Sequence, residues 1–164
     1  MLIVPSGTEP WRESIVHPIP YSVNPMFTGL ADLAVRAEGE HTARDWQDQM
    51  LETVKSVAGL TAVDGAAVLT HRYELLAFGA KIVRRRGSAV VEQMSVAEPI
   101  EGGDAMVVHP SRLGNTRHLS AAQFVHDQRD AMALVASQDG RFTIFAWSPC
   151  DGMVHAYRIE ALLL

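Results

Sequence analysis

Two short stretches of this 164-residue chain carry side chains with chemistry to offer. "VDGAAVLT" (63–70) puts Asp64 at the mouth of a predicted strand, and "LGNTRHLSAAQF" (113–124) delivers Thr116, Arg117 and His118 to the start of a predicted helix. The first turn of a helix has amides without partners and a partial positive charge, which suits a phosphate. Thr116 would add a hydroxyl there and Arg117 a charge-assisted fork. His118 would reach a metal or a phosphate oxygen. Asp64, at a strand end, would bind a metal ion or accept a proton from a ribose hydroxyl. Each motif also has a plainer reading. Asp64-Gly65 makes the turn into the strand, and Thr116 or Ser120 caps the helix while Arg117 is solvated.

The two motifs together resemble the diadenylate cyclase domain, the nucleotide-binding domain of DNA-integrity-scanning proteins. That family carries Asp-Gly-Ala, then Gly-Thr-Arg-His-Arg before a helix, then a strand and a serine-led turn, often Ser-Glu-Glu. The matching text is "VDGAAVLTHRYELLAFGAKI", "GNTRHLSAAQFV" and "DAMALVASQDGRFTIFAW", in the same order over about residues 42 to 148. The resemblance implies an α/β (α+β) fold with a mixed parallel and antiparallel central sheet flanked by helices. It implies two ATP molecules meeting across a homo-dimer and condensing to cyclic di-AMP, with Mg or Mn assisting. Carried over, Asp64 would activate the ribose 3′-hydroxyl or hold the metal, and Gly65 and Ala66 would lie close to the nucleotide. Thr116, Arg117 and His118 would hold phosphates, His118 also the metal, and Ser137 would sit nearby. Leu76 and Gly79 would border the adenine.

The chain departs from the family pattern at three places. Leu119 stands where the last arginine of Arg-His-Arg belongs, Asn115 separates Gly114 from Thr116, and the serine-led turn reads Ser137-Gln138-Asp139. A cation lost beside a triphosphate removes transition-state stabilisation, and an acidic group lost weakens a metal site. Binding survives such losses better than turnover does. The expectation is therefore an adenine-nucleotide sensor, taking ATP or a cyclic dinucleotide and signalling to an effector domain. An active cyclase is the second reading and a dimerisation module with a decayed site the third.

Stepping along the chain, a helix is expected from Thr42 to Ala58, with Trp46, Met50, Val54 and Val57 forming a core stripe. "AAVLT" (66–70), "ELLAFGAKIV" (74–83), "SAVVEQMSV" (88–96) and "DAMVVH" (104–109) read as strands. Arg84-Arg85-Arg86 reads as a solvated turn. A second helix is expected from Leu119 to Gln128, then "AMALVAS" (131–137) as a central strand buried on both faces. Asp139-Gly140 and Asp151-Gly152 are hairpin turns that make the last three strands a meander. Five of the eight prolines fall in the first 25 residues, so residues 1–40 read as an extended lead-in, packing on the domain or linking to it, with an edge strand at best. The domain proper is expected over 41–164.

Composition bounds the rest. Net charge is −5, which argues against a nucleic-acid groove. Twelve arginines and two lysines make up the basic residues, a skew that a high-GC genome also produces. No window approaches the roughly 18 apolar residues of a membrane helix, and the apolar start is too short for a signal peptide, so no membrane contact and a cytoplasmic setting are expected. The single cysteine, Cys150, excludes an internal disulfide. The seven histidines show no paired helical spacing for zinc, and there is no P-loop, Gly-x-Gly-x-x-Gly or nucleophile elbow.

Overall fold

The structure, a computed structural model, describes residues 1–36, 43–98, 104–114, 116–137 and 141–160. Its frame is one mixed sheet of nine strands in the order β2-β4-β3-β1-β7-β8-β9-β5-β6. In chain order these are β1 (Leu2–Val4), β2 (Tyr21–Phe27), β3 (Ala66–Thr70), β4 (Leu75–Ala80), β5 (Met94–Ala97), β6 (Met106–Val108), β7 (Met132–Ala136), β8 (Arg141–Ser148) and β9 (Met153–Glu160). Among the described residues, three α-helices accompany them: α1 (Gly29–Ala34), α2 (Arg44–Leu60) and α3 (Thr116–Asp127). The mixed sheet with helices on its faces is the architecture expected.

The apolar opening Leu-Ile-Val is a central strand rather than a lead-in. β1 runs parallel to β3, with Leu2 beside Val68, and antiparallel to β7, with Leu2 beside Ala133. Period-two alternation sends Leu2 and Val4 to one face and Ile3 to the other. The first face holds the larger core, where Leu2, Val4, Val68, Ala133, Val135 and Phe145 meet Ala121, Ala122, Phe124 and Val125 of α3. Trp11 and Ile15, from the proline-rich segment, are buried in that core too. The smaller core on the other face joins Ala67, Leu69 and Leu75 to Val57 of α2. The proline-rich stretch also supplies β2, an edge strand, where a missing amide donor costs the ladder least.

Several expected elements differ in detail. α2 buries Val57, but Val54 is 45% and Leu51 52% exposed, so the expected core stripe is only partly one. Its first half leans on α1 instead, where the Trp46 indole donates to the Leu33 carbonyl at 3.0 Å. β7 alternates buried and exposed residues, with Met132 and Ala136 open on the face away from α3. α3 begins at Thr116, three residues earlier than expected, so Thr116, Arg117 and His118 form its first turn. The Asp151-Gly152 hairpin is present, closed by the Gly152 amide on the Ser148 carbonyl. The Asp139-Gly140 turn, Thr42 and Asn115 lie outside the described residues.

The strand expected over 88–96 is confined to Met94–Ala97, and the cause is visible in α3. Side chains of α3 take the polar groups a ladder would use. Gln123 accepts from the Val91 amide at 3.1 Å and donates to the Ala89 carbonyl at 3.0 Å. Asp127 accepts from the Ser88 hydroxyl, the Arg85 amide and the Gln123 amide group, at 2.5, 2.7 and 2.8 Å.

The central place of β1 gives a test. Truncating Leu2, which is almost wholly enclosed, should cost about 3 kcal/mol. In a chain of this length that lowers the melting midpoint by about 6–12 °C. A shift of a degree or less in calorimetry would mean that the first residues are a detachable lead-in after all.

Candidate functional site

The register fixes which residues share an end of the sheet. Leu2 lies beside both Val68 and Ala133, so the start of β3 and the finish of β7 point the same way. α3 precedes β7 directly and packs along it, which returns the helix's first turn to that same end. Asp64-Gly65-Ala66 and Ser137 therefore lie toward one end of the strands, the end to which the Thr116–His118 turn also points, while α3 itself packs on β7, β8 and β9. β3 and β7 are separated there by β1 alone, roughly 10 Å at ordinary strand spacing. Ala66 and Leu76 pack against the core that α3 covers.

Asp64 is open to solvent, its side chain 91% exposed, with the Lys81 ammonium 3.5 Å away. An ion pair this exposed contributes little to folding, so its carboxylate is available to a ligand. Behind it the chain is tightly constrained. Gly65 has φ +118°, and a Cβ there would stand 2.4 Å from the Gly79 carbonyl carbon. Gly79, at φ +66°, carries the Tyr21 ring against its other side. Tyr21 stacks on Phe78 with ring centroids 4.7 Å apart and is half exposed. The two glycines that the sequence singled out are thus in contact, Gly65 just ahead of β3 and Gly79 on β4. Tyr21, missed in the sequence because it sits among prolines, adds an aromatic surface beside them.

On the helix, Thr116 and Arg117 are exposed while His118 is 3% exposed. The His118 ring meets Phe145 edge-on at 6.1 Å and lies under Gly114, whose absent Cβ would be 3.2 Å from Nδ1. Its position fixes the start of α3 against β8. Leu119, in place of the family's second arginine, is exposed on the first turn. Ser137 follows β7 and ties its amide to the Arg141 carbonyl at 2.8 Å, while residues 138–140 lie outside the described ones. For Mg or Mn, Asp64 offers the hard oxygen donor such ions prefer, whereas the buried imidazole of His118 is a poorer match. Among the described residues, no three His, Cys, Asp or Glu side chains converge as a metal cluster.

A second polar region was not anticipated. Arg85 and Arg86, read from the sequence as a solvated turn, line a cleft with His126 and Arg129 at the far end of α3. Arg85 is held by Glu13 at 2.7 Å and by its amide on Asp127. The charge-rich run "HDQRD" (126–130), directly after the helix's apolar stripe, was the available signal. Among the described residues, no helix is long and apolar enough to cross a membrane.

No family model, curated protein or solved structure matches the chain.

The Gly65–Gly79 contact yields a sharp expectation. Gly65→Ala should destabilise by about 3 kcal/mol, combining left-handed strain with a backbone clash. Asp64→Ala, beside it, should change stability by less than about 0.5 kcal/mol. Equal effects in urea titrations would show that the hairpin opens without strain.

Proposed function

We propose that the chain is an adenine-nucleotide-binding domain of sensor type, resembling diadenylate cyclases without their full catalytic complement. The observation that supports the reading is that Asp64-Gly65-Ala66 and Ser137 lie toward the same end of the strands, the end to which the first turn of α3 points. Separated by about fifty residues in sequence, the two motifs come in the order the resemblance implies.

Each group then has work suited to its place. The amides of the first turn, with the Thr116 hydroxyl and the Arg117 guanidinium, would receive phosphate oxygens. Asp64 would hold a Mg or Mn ion, which when bound neutralises phosphate charge. The Gly65–Gly79 contact, free of side chains, would let the nucleotide approach the backbone, with Leu76 behind it. Buried His118 would set the helix turn rather than reach the ligand.

Leu119 supports sensing over turnover. It stands on the helix surface, where a cation would have been free to reach a developing phosphate charge. Its absence affects rate more than affinity. A homo-dimer and a separate effector domain belong to the same proposal, as does a cytoplasmic setting.

ATP or cyclic di-AMP, with Mn, should raise the melting midpoint by about 5 °C or more at a hundredfold excess over Kd. Arg117→Ala should weaken binding at least about tenfold with little change in stability, because the side chain is exposed. Unchanged affinity in that variant would overturn the phosphate role. Incubation with ATP and Mn should give little or no cyclic di-AMP by chromatography. Robust product that disappears in Asp64→Asn would replace the sensor reading with an active cyclase.

A further inference from the structure

The cleft at the opposite end of α3 is built from parts that the nucleotide reading does not use. It encloses about 630 Å³ between the segment after β1, the turn after β4 and the exit of α3. That volume is within the usual range for small-molecule sites, roughly 300–1,000 Å³. Pro5, Pro10, Trp11 and Ala131 are among its lining residues, Trp11 and Ala131 being buried.

Its charges are unevenly spent. Asp127 is sealed, its side chain 0% exposed and its oxygens occupied by Ser88, Gln123 and Arg85. Arg85 is neutralised by Glu13. The His126 Nδ1 lies 3.2 Å from Asp127. The carboxylate is an acceptor, so the proton sits on Nδ1 and Nε2 is the nitrogen left for other partners. Arg129 lays its guanidinium over the Trp147 ring at 4.1 Å, which uses the flat face and leaves the edge N–H groups to donate. Arg86 is exposed on the turn Arg85–Ser88. Among the described residues it has no ion pair or hydrogen bond. Asp130 is the remaining acidic group at the rim.

We propose that this cleft is a second binding site, for a small phosphate-bearing ligand clamped between Arg86 and Arg129. Two guanidinium forks on separate segments suit a tetrahedral dianion, whose oxygens face several directions. A planar carboxylate is satisfied by a single fork. Pro5 and Pro10 line the cleft and give the uncharged part of such a ligand an apolar surface, with buried Trp11 behind them. Asp130 opposes the anion and sets an upper limit on affinity. The proposal is independent of the nucleotide site, which lies at the other end of the helix.

Titration of the full chain with inorganic phosphate and with tripolyphosphate, at low salt and followed by calorimetry, tests it. Arg86→Ala and Arg129→Ala should each weaken tripolyphosphate binding at least about tenfold. Asp130→Asn should tighten it about twofold. Lys55→Ala, on the exposed face of α2, should leave it unchanged. Thermal midpoints confirm that each variant is folded. Absence of saturable binding of either probe would overturn the proposal, as would a loss in Lys55→Ala equal to that in Arg86→Ala.

Discussion

Three residues hold the sheet together. β1 is the join between the β2-β4-β3 group and the β7-β8-β9-β5-β6 group, and its two ladders have opposite sense. The parallel ladder with β3 requires a long return, and the chain spends residues 5–65 on it, placing α1 and α2 over one face. The antiparallel ladder with β7 sets which way α3 must run on the other. A slip of one residue in β1 would exchange Leu2 and Val4 for Ile3 in the larger core. It would also change the distance between Asp64 and the first turn of α3. The geometry of the candidate site is therefore a consequence of how a very short strand is seated.

α3 divides the chemistry of the molecule between its ends. At its first turn Thr116 and Arg117 are exposed and His118 is buried. At its exit the helix dipole is negative, and the residues there are Arg129, His126 and a carboxylate already saturated with donors. The phosphate-binding capacity proposed at this end comes from side chains on loops, not from the helix itself. The buried stretch between, Ala121 to Val125, packs into the core, and through Gln123 it also holds Asp127 at the cleft.

Much of this was legible beforehand because it is local. The strand "AAVLT" stands where its β-branched and apolar run says it should, and the Asp151-Gly152 turn closes as its residues require. What could not be read depends on distant partners. The apolar stripe of α2 looked like a core face, yet nothing long-range brings a surface to Val54. "SAVVEQMSV" has the composition of a strand, but Gln123 and Asp127, more than thirty residues away, capture its first half. Arg85 is unremarkable until Glu13 stands beside it. In the site itself, Gly65 and Gly79 were each singled out by the motif, but their contact was not, and the burial of His118 followed from Phe145, which no local pattern announces.

The segment between Ser88 and Val91 has strand-like restraint without membership in the sheet. The Val91 amide and the Ala89 carbonyl pair with the side chain of Gln123 on α3, so the segment depends on that helix rather than on neighbouring strands. Its opening and the fraying of the last turns of α3 are thus a single cooperative event. Solvent exchange at the Val91 amide reports on the helix, while exchange a few residues later, within β5, reports on the sheet. The boundary between two units of local stability falls between Val91 and Met94, inside what the sequence presents as one uninterrupted strand.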